Sequence, residues 1–82
     1  MYAVRWKRSA LDRLAELWLE AADRAALNAA VEEIDRFLAR NPHEAGESRS
    51  DAVRVLFCQP LGVFFVPDDS HTAVDVLRVW TF

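Results

Sequence analysis

The chain is short of almost everything that marks the commoner catalytic and membrane classes. It has one cysteine, Cys58, in 82 residues, which excludes an internal disulfide and suits a reducing cytosol. Its two glycines, Gly46 and Gly62, are too few and too far apart for a glycine-rich phosphate loop. No apolar run approaches about 18 residues, so a membrane-spanning helix is not expected, and the N-terminus lacks the apolar core of a signal peptide. Neither His43 nor His71 has a Cys, His or carboxylate at ligand spacing, so both read as surface histidines and no metal or cofactor is expected. No internal repeat, low-complexity segment or linker interrupts the chain, and its length fits one domain, residues 1–82. Nor is there an excess of positive charge. The net charge is −3 and the pI about 5.2, so the overall field that assists nucleic-acid binding is missing.

What the chain does have is apolar side chains, at 52% of residues. A domain this small buries only roughly 60–65% of its unfolded surface, so some of that surface is expected outside or under a partner. Charge is uneven as well. Arg5, Lys7, Arg8 and Arg13 face only Asp12 in the first 13 residues, which predicts a solvated basic rim; from 14 to 51, nine acids stand against four bases.

Periodicity places the elements. Tyr2–Trp6 alternates, with Tyr2, Val4 and Trp6 on one face, and predicts a half-buried strand. Ser9 is the expected N-cap of a first helix, with Asp12 in capping-box position. Leu11, Leu14, Ala15, Trp18 and Ala22 form its expected inward stripe, widened by Leu17, with Trp6 and Trp18 in the core. Asp23 is placed to cap a second helix carrying Leu27, Ala30, Val31, Ile34, Phe37 and Leu38 inward, and Asn41-Pro42 ends it. Residues 43–51 read as a polar loop in which Gly46 takes a positive φ. Three strands follow, Ala52–Phe57, Leu61–Val66 and Ala73–Trp80, with short turns at Gln59-Pro60 and Pro67–Ser70, as in an antiparallel meander. Two helices between the first and second strands imply that those strands run antiparallel.

The strands are apolar on both faces. Val53, Val55 and Phe57 share one face, and Leu61–Val66 is apolar throughout. Val74, Val76 and Trp80 are expected on one face with Arg78, leaving Asp75, Leu77 and Val79 on the other. One face covers the hairpin and the other is a candidate docking surface. Trp80 and Phe82 are candidate anchors for a partner. Arg49, Arg54 and Arg78 are candidates for a phosphate- or carboxylate-binding cluster, with Arg54 and Arg78 also candidate partner contacts, unless Arg54 or Arg78 pairs with Asp75 or a nearby carboxylate across the sheet. Cys58 has no adjacent base to activate it and reads as a small buried side chain.

In order along the chain, Tyr2-Ala3-Val4-Arg5-Trp6, Ala10-Leu11-Asp12-Arg13-Leu14, Ile34-Asp35-Arg36-Phe37-Leu38 with Asn41-Pro42, Gly46-Glu47-Ser48-Arg49, Val53-Arg54-Val55-Leu56, Pro60-Leu61-Gly62-Val63 and Val74-Asp75-Val76-Leu77-Arg78-Val79 resemble the RelE/ParE toxin superfamily of bacterial type II toxin–antitoxin modules, which includes proteins described as plasmid-stabilisation proteins. The resemblance spans nearly the whole chain. It implies an α+β fold in which an antiparallel sheet, in the order β-α-α-β-β-β, packs against a helical hairpin. It also implies a cytoplasmic toxin silenced by an antitoxin partner.

Ribosome-dependent members of that superfamily look like mRNA endonucleases. They place basic residues on the meander and an arginine, then a tyrosine or histidine, beyond the last strand. This chain departs from that pattern. Leu61–Val66 carries no cation, nothing of that kind follows the last strand, and the closing C-terminal helix is missing. By default the ParE-like branch, which acts by binding DNA gyrase, is the nearer match. Arg49, Arg54 and Arg78 remain as phosphate-binding candidates if the chain is instead a nuclease acting on the ribosome, and a non-toxic relative is the third possibility.

Overall fold

The alternation of Tyr2, Val4 and Trp6 with exposed Ala3 and Arg5 produces the first strand, β1 (Ala3–Trp6), in a computed structural model that describes Met1–Phe82. Helix α1 (Arg8–Glu20) follows at once. Its N-cap is Lys7, which offers no side-chain acceptor, so the expected cap at Ser9 is displaced into the first turn and no capping box forms. Helix α2 (Arg24–Arg40) begins as expected: Asp23 accepts from the Ala26 N–H at 3.0 Å. It ends at Asn41, before Pro42.

The loop expected after α2 contains a further strand, β2 (Glu47–Ser50), with all four side chains exposed. It precedes β3 (Val53–Cys58), β4 (Leu61–Asp68), a single 3₁₀ turn at Asp69–His71, and β5 (Ala73–Thr81). Gly46 enters β2 with φ +61°. These strands form one sheet in the order β1-β5-β4-β3-β2. The α+β class holds. The sheet, however, is mixed rather than wholly antiparallel. The polar β2 adds one more chain reversal, so β1 pairs parallel with β5 and runs in the same direction as β3, not against it.

The core lies between the hairpin and one sheet face. Leu27, Ile34 and Leu38 of α2 meet Leu61, Val63 and Phe65 of β4 and Val74, Val76 and Val79 of β5, all buried. The last three are out of step with the expected alternation. Between Phe64 and Phe65 the β4–β5 register shifts by one residue, with Phe64 opposite Arg78 but Phe65 opposite Val76. Leu77 is the extra residue of a β-bulge. Before it Val74 and Val76 face the helices, and after it Val79 does, so Asp75, Arg78 and Trp80 all turn to the open face.

The first helix is also rotated from expectation. Ala10 and Leu17 are its buried residues, while Leu11 is exposed, Trp18 is 37% exposed and Leu19 is 68% exposed. Trp18 is therefore not a core residue. Trp6 does pack against the core, and its indole N–H donates to Asp35 at 2.9 Å. No helix is long and apolar enough to cross a membrane.

Candidate functional site

The short first strand leaves β5 half uncovered. It pairs with β5 only over Ala73–Val76, so Leu77–Thr81 has β4 on one side and no strand on the other. Beside this free edge the start of α1 leaves a cleft of about 420 Å³, lined by Ser9, Arg13, Phe64, Leu77, Arg78 and Trp80. The bulge at Leu77 aims Arg78 into it. Arg13 is held by Glu16 at 3.1 Å, whereas Arg78 has no ion pair.

One wall of the cleft continues into an aromatic cluster on the open sheet face. Trp80 packs against Phe64 with ring centroids 4.7 Å apart and edge-on to Phe57 at 6.0 Å; Phe82 meets Phe57 at 5.3 Å. Such offset and edge-to-face arrangements suit aromatic quadrupoles. Phe57 and Phe82 stay 56% and 60% exposed. Gly62 makes the arrangement possible, because Trp80 lies across it: a Cβ there would meet the indole Cε2 at 2.6 Å.

A polar network occupies the other end of the sheet. Arg5 donates to Asp75 at 2.7 Å and to Asp68 at 3.1 Å, so this cation is a cross-strand tie and not part of a solvated rim. Asp69 receives the Tyr2 hydroxyl at 2.8 Å and lies 2.7 Å from Nε2 of His43. Asp68 receives the Ser70 hydroxyl at 2.7 Å and lies 2.8 Å from Nδ1 of His71. All three carboxyls are held below their usual range. For Asp68 the Ser70 and His71 hydrogen bonds dominate; for Asp69 the leading cause is His43, and for Asp75 it is Arg5. Ser70, His71 and Asp68 share residue types with a hydrolase triad but not its wiring. Both the hydroxyl and the carboxylate approach the same ring nitrogen, Nδ1, so no proton can be relayed across the imidazole.

On the outer side of the hairpin, Leu11, Ala15, Trp18, Leu19 and Leu27 with Val31 line an apolar groove of about 480 Å³. Arg24 closes its end, stacked 4.3 Å from the Trp18 ring centre and donating to the Trp18 and Leu19 carbonyls at 3.0 and 3.2 Å. No group of three or more His, Cys, Asp or Glu side chains is positioned to hold a metal ion.

No family model matches the chain, and no curated protein matches it in sequence. Solved structures do. The RelBE2 toxin–antitoxin complex from Mycobacterium tuberculosis contains a chain 26% identical, matched over 99% of this chain and 91% of that one, with a TM-score of 0.81. The isolated E. coli RelE toxin matches at 13% identity and TM-score 0.74, over 99% and 84%. A chain of the chromosomal ParDE system from P. aeruginosa matches at 20% and 0.59, over 99% and 96%. The fold is that of the RelE/ParE toxin superfamily.

Within this RelE/ParE fold the predicted site residues separate. Trp80, Phe82 and Arg78 come together on the open face. Arg54 stands opposite Phe65 and Arg78 opposite Phe64. Phe64 and Phe65 are consecutive and point to opposite sides of β4, so the two arginines lie on opposite faces of the sheet. Arg54 donates to the Ala45 and Gly46 carbonyls at 3.1 and 3.2 Å and closes the loop before β2. Arg49 lies on the exposed outer strand. The expected pairing of Arg54 or Arg78 with Asp75 is absent, since Arg5 holds Asp75. Cys58 is buried, which pushes its thiol pKa up, with Glu33 adding to the effect. Sequence reasoning took Arg13 only as a rim cation and Phe57 and Phe64 only as strand apolars. The convergence of Arg13 and Phe64 on Arg78, and of Phe57 and Phe64 on Trp80, depends on the bulge, and bulges leave no periodic signal.

Proposed function

We propose that the chain is the toxin of a bacterial type II toxin–antitoxin module, acting in the cytoplasm by binding a protein target and held inactive by an antitoxin. The cleft beside β5 carries this reading. It presents two arginines, two aromatic rings and a serine, and no histidine or carboxylate lines it. Phosphodiester cleavage needs a base for the ribose 2′-OH and an acid for the leaving oxygen. Protein recognition needs desolvated aromatic and arginine anchors, which Arg78, Trp80, Phe57 and Phe82 supply. The neighbouring folds come from a RelBE2 toxin–antitoxin complex and a ParDE system, which supports an antitoxin as one occupant of this face. The ParE-like resemblance makes DNA gyrase the first candidate target.

A second reading, a ribosome-dependent mRNA endonuclease, draws on the same cleft: arginines beside Phe64 and Trp80 suit phosphates and stacked bases of a single strand. Induced expression in a bacterial host, with and without the cognate antitoxin, tests both. The protein-binding reading expects growth arrest that the antitoxin relieves, with transcripts intact, and loss of arrest in Arg78→Ala and Trp80→Ala variants that still fold. Normal growth at high soluble expression would leave a non-toxic relative. Transcript ends mapped inside codons would move the assignment to the nuclease.

A further inference from the structure

Main-chain hydrogen bonds separate the spent edge of β5 from the open one. The Lys7 N–H donates to the Val76 carbonyl at 2.9 Å, and there the chain leaves β1 for α1. On the other side the Phe82 N–H donates to the Pro60 carbonyl at 3.1 Å. That bond sets the alternation along the antiparallel β4–β5 ladder. Trp80, opposite Gly62, and Arg78, opposite Phe64, therefore turn their main chain to β4. Val79 and Thr81 turn theirs to the side where no strand lies. Upstream of the bulge it is Val76 that faced this side, so the extra residue at Leu77 resets which groups reach the edge. Two N–H and two C=O groups are left there, at alternate residues, with no partner in the chain.

The side chains around this edge select the strand it suits. Ser9 and Ala10 of α1, both small, flank one side of the cleft. Phe64, Arg78 and Trp80 flank the other, on the open face. Arg78 has no ion pair, Arg13 holds only the exposed Glu16, and no carboxylate lines the cleft. An added strand lies about 4.8 Å from its neighbour and sends alternate side chains to opposite sides. Those toward Ser9 and Ala10 have to be small. Those toward the open face meet Arg78, which favours a carboxylate, and Trp80, which favours an apolar group. A second copy would bring an arginine with any of its own open edges: Arg5 on β1, Arg49 on β2 or Arg78 on β5. A nucleic-acid strand would satisfy the arginines and leave the Val79 and Thr81 groups unmatched.

We propose that the open edge of β5 takes an extended acidic segment of a partner protein as an added strand, in line with β1 and beside α1. Its main chain bonds to Val79 and Thr81, and one of its carboxylates meets Arg78. Main-chain bonds then supply affinity, and the alternating side chains supply specificity. The proposal deepens the protein-binding reading and rests on it.

Selection of displayed random peptides, about seven residues long, on the full chain tests it. Enrichment of peptides that alternate small residues with a carboxylate and an apolar group is expected. In hydrogen exchange the Val79 and Thr81 amides are fast in the chain alone and slow with the enriched peptide bound. Thr81→Pro removes one edge donor at an exposed position, where an open edge tolerates proline. Its urea midpoint stays unchanged while peptide affinity falls about tenfold. Thr81→Val keeps the N–H and binds as the parent does, and Arg78→Glu abolishes binding. The absence of an enriched peptide, equal binding by Thr81→Pro, or unaltered exchange at Val79 and Thr81 overturns the proposal. So does a dimer in sedimentation that Thr81→Pro dissolves, which assigns the edge to a second copy. A uridine oligonucleotide that displaces the peptide and binds more tightly also overturns it, and assigns the cleft to nucleic acid. Antitoxin-relieved growth arrest is scored separately. Arrest without peptide binding sinks the edge proposal alone, and peptide binding without arrest sinks the toxin reading alone.

Discussion

A methyl group at Gly46 would run into the Val55 carbonyl oxygen, and its φ of +61° is one that L-residues resist. Gly46→Ala is expected to cost about 2–3 kcal/mol in urea unfolding, at the upper end for a single backbone-type substitution. Gly62 is constrained differently, by the Trp80 side chain lying over it, and a side chain can swing away where a carbonyl cannot. Gly62→Ala should therefore fold with a loss of about 1 kcal/mol, but with the indole displaced and its emission shifted. If the aromatic cluster anchors a partner, toxicity or antitoxin binding falls with it. Thr72 has the opposite fault. A β-branched residue at φ +47° is strained, and Thr72→Gly is expected to raise stability by up to about 1 kcal/mol, read as a higher urea midpoint.

At the scale of elements, α2 shows how much a local signal can carry. The Asp23 cap, the inward Leu27, Ala30, Ile34 and Leu38 and the stop at Asn41-Pro42 were legible because each acts within one or two turns, whereas Phe37, expected inward, lies at the margin of the stripe and is 44% exposed. Asp23→Ala should cost about 1 kcal/mol in thermal or urea unfolding. Elements settled by distant partners were not legible. Glu47–Ser50 has no apolar face and becomes a strand only because β3 offers it an edge. The bulge at Leu77 inserts one residue into Val-Asp-Val-Leu-Arg-Val-Trp, a run that still reads as plain alternation. That single residue is what sends Val79 inward and turns Arg78 and Trp80 to the open face beside Phe64. The same holds for Trp18: its spacing from Leu11 and Leu14 describes a stripe correctly, but nothing local says that Ala10 and Leu17, on the neighbouring stripe, are the ones pressed to the sheet.

For the molecule as a whole, three carboxylates join elements far apart in the chain. Asp75 and Asp68 hold Arg5 of β1, and Asp69 joins Tyr2 to His43 of the turn after α2. Each has a folded pKa below its unfolded value of about 4, so the unfolded chain binds more protons across that window. Their contribution is complete above about pH 4 and is lost as pH falls from there toward the folded values. Urea midpoints should thus be level from neutrality to mildly acidic pH and drop below about pH 4, and Asp75→Asn should flatten part of that drop. Asp75 lies on the strand where the parallel pair β1–β5 closes the sheet, Ala3 against Ala73 through Trp6 against Val76. β1, made before both helices, consequently waits for β5, its neighbour in the sheet. Until β5 emerges, Val4 and Trp6 have no neighbour in the sheet and the cleft has neither Arg78 nor Trp80. A chain cut short before Ala73 should show no cooperative unfolding by circular dichroism. The cleft and the aromatic cluster are therefore among the last features of this fold to form, since both need β5 in place beside β4.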